Sequence, residues 1–145
     1  MNDATLTNVV ALVHLVVLAM WGGVVATEAV VETTGHRRSE LTGAASRFHY
    51  WIDLLVELPL VVAVVATGAS LLWLVEDVTG RHLVKLAFAA SAVAVNVACI
   101  VVVLRRERGR RAGAPPEAQR AATRVVLACF AGGLAYVLSE GVLVW

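Results

Sequence analysis

Four long apolar runs, nearly free of charge, decide what this chain can become. They cover about residues 6–31, 52–75, 83–104 and 121–144. A helix needs about 20 apolar residues to cross a bilayer, and each run supplies them. Hydrophobic residues make up 59% of the chain and charged ones only 16%, against roughly 25% charged in a soluble domain. The runs are built from Val, Ala and Leu and lack the polar alternation of a membrane strand. In lipid a helix satisfies every backbone N–H and C=O within itself. The expected class is therefore all-α: one polytopic domain over residues 1–145, a four-transmembrane-helix bundle. The connections are short, which makes neighbouring helices antiparallel, up-down-up-down. The opening Met-Asn-Asp-Ala-Thr-Leu-Thr has no basic flank of a cleavable leader, so the first run is read as a span.

The net charge of +1 hides an asymmetry. Arg37, Arg38 and Arg47 lie between the first two runs. Arg105, Arg106, Arg108, Arg110, Arg111, Arg120 and Arg124 lie between the last two. The opposite side carries only Arg81 and Lys85. Ten basic residues against two put the arginine-rich loops on the cytoplasmic side. Both termini are then extracytoplasmic, and the membrane is the plasma (inner) membrane. Trp51, Trp73, Tyr50 and Trp145 fall near span ends, as interfacial aromatics do, whereas Trp21 lies deeper and reads as packing. Pro59, inside the second run, should kink that helix or free a carbonyl.

Two stretches at the arginine-rich end mirror each other. One is Glu28-x-x-x-Glu32-x-x-x-His36 and the other His49-x-x-x-Asp53-x-x-x-Glu57. Spacing of i, i+4 and i+8 lines each triplet along one helix face, with about 6 Å between neighbours. A hairpin about residues 37–43 sets Glu28 level with Ile52 and Asp53, and Glu32 level with Phe48 and His49. Glu57 falls opposite Gly22-Gly23, a small pair that lets helices approach. Carboxylates gathered in hydrocarbon are costly unless a proton or a cation compensates them. Inward Glu and His ligands in a helical bundle are a known solution for metal carboxylate sites. Mixed carboxylate and imidazole donors suit zinc, iron, manganese or copper better than calcium or magnesium. Glu28, Glu32, His36, His49, Asp53 and Glu57 are therefore the expected ligands, for one, two or three ions.

Two competing readings need no metal. Glu32, His36 and His49 could be wet helix ends. The carboxylates could pair with arginine, with Arg124 facing Glu57 and Arg47 facing Glu32. Elsewhere, His14 reads as a core residue bonded to Thr67 or Ser91, since no second histidine lies at its depth. A bis-histidine haem is therefore not expected. Glu140 is level with Lys85, an expected ion pair. Cys99 and Cys129 lie at similar depth, could touch, and read as small apolar packing.

The stretch His14-Leu-Val-Val-Leu-Ala-Met-Trp21-Gly22-Gly23 resembles the first span of copper-resistance D-type (CopD-like) bacterial membrane proteins. The resemblance covers one span and the general layout. It implies metal handling at the plasma membrane, with His14 as the matching residue. The Glu/His/Asp triplets and the shortness of the chain depart from that pattern.

The sequence thus points to an integral membrane protein binding transition metal near the cytoplasmic face. The alternative is a proton- or ion-coupled transporter or accessory subunit whose carboxylates pair with arginine. The partners are the lipid bilayer, metal ions and a second copy of the chain; nothing points to nucleic acid. An enzyme would need an open coordination position, and the sequence does not decide that point.

Overall fold

The computed structural model describes residues 3–74 and 77–113, together with Pro115, Ala121, Arg124 and Val125. The side chains of Asp3, His36 and Ser39 lie outside the description, as does nearly all of the fourth apolar run. The described chain is helical. Helix α1 runs Asp3–Arg37, and a 3-10 turn at Ser39–Leu41 reverses the chain. Helix α2, Thr42–Ile52, passes through a π-helical turn at Asp53–Glu57 into α3, Leu58–Leu74; α4 spans Gly80–Arg111. Three rods result, Ala4–Gly35, Thr42–Leu74 and Gly80–Arg111, each long and apolar enough to cross a membrane. They begin earlier or end later than the apolar runs alone suggest, because the helices carry their polar ends beyond the hydrocarbon stretch.

Local chemistry explains the joints. Gly35 permits the tight α1–α2 corner: a Cβ there would stand 2.5 Å from the Ala45 Cβ. The Thr42 hydroxyl donates to the Gly35 carbonyl at 2.9 Å and ties down the last turn of α1. Helix α4 opens with a capping box, in which the Thr79 backbone N–H donates to His82 Nδ1 at 3.1 Å. The π-turn follows from Pro59. Its ring would meet the Leu55 carbonyl in a regular α-helix, and it has no N–H to donate. The chain widens instead, and the Leu58 N–H reaches back to the Asp53 carbonyl.

Packing is inverted relative to a soluble domain. Leu12, Leu15, Val30, Leu55 and Val62 are all more than 60% exposed. The buried set includes Glu28, Glu32, Ser46, His49, Asp53, Glu57, Arg106 and Glu107 beside a short apolar list: Ala45, Val61, Val64, Cys99, Ile100 and Val103. Water would punish that arrangement, and lipid favours it. Helix α1 packs along α2 and α3, while α4 packs on α2. The polar interior therefore sits where three rods meet, at the arginine-rich end.

Gly22 and Gly23 do not serve as the expected contact. A Cβ at either would meet nothing within 4 Å among the described residues. The close approaches fall at Gly35 and at Gly68, where His14 Cε1 lies 3.3 Å from a Cβ position.

Candidate functional site

Helix α1 supplies Glu28 and Glu32, one turn apart. The second rod supplies His49 from the end of α2, and Asp53 and Glu57 from the two ends of the π-turn. A straight α-helix drifts by about 40° at each i+4 step. The π-turn accommodates an extra residue, and so keeps His49, Asp53, Glu57 and Val61 all buried on one face. Five of the six expected residues are therefore brought together and buried. The sixth, His36, belongs to α1, but its side chain lies outside the described residues. Glu32 and His49 are 3% and 1% exposed, so neither is a wet helix end.

The contacts fall into three groups. His49 is central. Its Nδ1 lies 2.9 Å from Glu32 Oε2, and its Nε2 lies 3.3 Å from Asp53 Oδ1 and 3.7 Å from Glu28 Oε2. Glu32 is also gripped by Arg106 of α4, whose Nη1 donates to Oε1 and whose Nη2 donates to Oε2 at 3.2 Å. Glu57 takes two donors on Oε1, the Trp21 indole at 3.2 Å and the Asn96 amide. By contrast, both carboxylate oxygens of Glu28 and both of Asp53 are buried and accept no hydrogen bond among the described residues. Donor atoms from Glu28, His49 and Asp53 all lie within 4.8 Å of one another.

Electrostatics makes this unusual. Glu28, Glu32, Asp53 and Glu57 bring four carboxyl groups into one buried cluster, against one buried guanidinium among the described residues, that of Arg106. Arg106 lies on the Glu32 side. Glu28 and Asp53 thus remain adjacent, buried and without a hydrogen-bond donor among the described residues. Such a pair holds a proton or a cation. Adjacent ligands on bonds of about 2.1 Å stand about 3.0–3.5 Å apart; the Asp53–His49 separation of 3.3 Å falls in that range, and the Glu28–His49 separation of 3.7 Å lies just beyond it.

Three members of the cluster carry no metal-binding signal in the sequence. Arg106 was one basic residue among ten, and the ion pair expected for Arg47 or Arg124 falls to it instead; both of those are exposed. Trp21, read as packing, is a hydrogen-bond donor to Glu57. Asn96 reaches the same carboxylate from α4. A signal for the last two existed, since each is a polar group at the depth of Glu57 in an apolar run. A second cluster closes the arginine-rich end. Buried Glu107 accepts from Arg110 at 2.7 Å and from Arg111 at 2.9 Å, and Arg111 lies 5.3 Å from the centre of the Tyr50 ring.

Toward the opposite end, His14 Nδ1 meets Thr67 Oγ1 at 2.7 Å, while Ser91 bonds within its own helix to the Ala87 carbonyl. The Thr67 hydroxyl also lies 2.7 Å from the Ala63 carbonyl of its own helix. Cys99 is buried. Its expected neighbour Cys129, and Glu140 as partner of Lys85, lie outside the described residues. No protein-family model, curated protein or solved structure matches this chain.

Proposed function

We propose that this chain is a multi-pass membrane protein that holds a transition-metal ion between α1 and the α2–α3 rod. Glu28, His49 and Asp53 are its ligands, and Glu57 is a further carboxylate beside them. The observation that carries this reading is the pair of buried carboxylates, Glu28 and Asp53, whose four oxygens accept no hydrogen bond among the described residues while facing an imidazole nitrogen. A divalent ion supplies the missing positive charge and takes up those lone pairs at once. One imidazole with two or three carboxylates suits iron, manganese or zinc, and accepts copper. In the same reading the sequence contributes a fourth span over residues 121–144. The bundle runs up-down-up-down in the plasma membrane, with both termini extracytoplasmic and the metal near the cytoplasmic leaflet.

The Arg106–Glu32 ion pair favours a second reading. There, arginine and bound protons alone balance the carboxylates, and the chain is an ion-coupled membrane subunit. Elemental analysis separates the two. Full-length protein expressed in metal-replete medium and purified in detergent should carry at least one transition-metal ion per chain. His49→Ala and Glu57→Ala should each lower that content while helicity is kept. A metal-free wild-type protein with intact helicity would establish the ion-pair reading instead.

A further inference from the structure

By spacing, Glu32 is the equal of Glu28 and Asp53, but its contacts set it apart. Both of its oxygens are committed to Arg106, and Oε2 also meets His49 Nδ1 at 2.9 Å. A carboxylate in a guanidinium fork is ionised and can only accept. The proton in the Nδ1···Oε2 contact therefore belongs to the imidazole. With Nδ1 protonated, a neutral His49 carries its lone pair on Nε2. That is the nitrogen 3.3 Å from Asp53 Oδ1 and 3.7 Å from Glu28 Oε2. Arg106 is 5% exposed, and its fork fixes Glu32 from a third rod. The imidazole is consequently held both in tautomer and in ring orientation.

We infer that Glu32 is not a ligand but the positioning residue for one, and that Arg106 and Glu32 act as a relay presenting His49 Nε2 to the metal. This inference rests on the metal-site reading above. A carboxylate on the far nitrogen of a metal-bound imidazole fixes its orientation and raises its basicity, and removing it weakens metal binding about 10–100-fold. The relay also gives α4 a part in the site without placing an α4 atom in the coordination shell. It explains why a basic residue is buried beside a cation site: its guanidinium fork is engaged with Glu32.

Copper(II) is a suitable probe, titrated into the full-length, detergent-purified chain and followed by pulsed electron paramagnetic resonance. The signal of the remote imidazole nitrogen reports the hydrogen bond at Nδ1. Wild type should bind copper with one imidazole. Glu32→Gln should still bind one ion through one imidazole, but about 10–100-fold more weakly and with a shifted remote-nitrogen coupling. Arg106→Gln should move affinity and coupling in the same direction. The double variant should lose little more than the worse single one, because the two residues act in series. Arg106→Lys, which keeps the charge and loses the fork, covers the case in which Arg106→Gln does not fold. The inference is overturned if Glu32→Gln leaves affinity and coupling unchanged. It is equally overturned if that variant abolishes binding as His49→Ala does, or removes an oxygen ligand as Glu28→Gln does. A wild-type protein that binds no copper through imidazole overturns the metal-site reading itself, a result distinct from any change confined to Glu32 and Arg106.

Discussion

At the scale of single residues, the site is a problem of charge. Glu32 has Arg106, Glu57 has Trp21 and Asn96, and Glu28 and Asp53, which accept no hydrogen bond among the described residues, face His49 Nε2. Removing one member of a buried ion pair leaves the other uncompensated, at a cost of about 3–5 kcal/mol. Arg106→Leu should therefore lower stability by about that amount in chemical unfolding followed by circular dichroism. Exposed Arg47→Ala should change it by less than about 0.5 kcal/mol. The proposed ligands must be deprotonated to bind, so lowering the pH should release metal, because protons compete for the same lone pairs. Dialysis at pH 8 should retain the ion, and dialysis against progressively more acidic buffer should strip it, at a higher pH in His49→Ala than in wild type. Identical release profiles for the two proteins would remove His49 from the ligand set.

At the scale of elements, the i, i+4, i+8 spacing was readable because an α-helix converts it directly into one face. The hairpin register followed from counting residues on either side of the turn, and Glu28 does lie beside Asp53 and His49, with Glu32 beside His49. What stayed illegible came from a third element. Arg106 meets Glu32 across 74 positions, and no local pattern distinguishes it from the arginines around it. Pro59 announced an irregularity, but not that the chain would resolve it as a π-turn that carries Asp53 and Glu57 at its ends. Glycine was misread for the same reason: its use depends on what faces it, and among the described residues another helix faces Gly35 and Gly68 rather than Gly22 and Gly23. Gly35→Ala would press its Cβ to 2.5 Å from the Ala45 Cβ, and should cost about 1–3 kcal/mol through overpacking. Gly22→Ala meets no atom within 4 Å among the described residues and should be neutral or stabilising, by up to about 1 kcal/mol of helix propensity. Unfolding of the two variants side by side checks the contrast; equal effects would contradict the close α1–α2 corner.

At the scale of the whole molecule, the polar interior and apolar exterior agree with the composition, and the described residues supply three rods long and apolar enough to cross a membrane. The basic residues collect at the end where the α1–α2 corner and the end of α4 lie together, with Arg81 and Lys85 at the other. A reporter active only in the cytoplasm should work when fused after Gly113 and fail when fused after Trp145, if residues 121–144 cross the membrane and both termini are outside. Activity at both positions would mean three crossings and a cytoplasmic C-terminus. The proposed site belongs to this scale too, because it exists only where α1, the α2–α3 rod and α4 meet. X-ray absorption at the edge of the metal found in the purified protein tests that claim most directly. One imidazole nitrogen with carboxylate oxygens at about 2.0–2.2 Å, and loss of the imidazole scattering in His49→Ala, is the result expected of Glu28, His49 and Asp53 as ligands. A shell without imidazole, or one unchanged by His49→Ala, would contradict it.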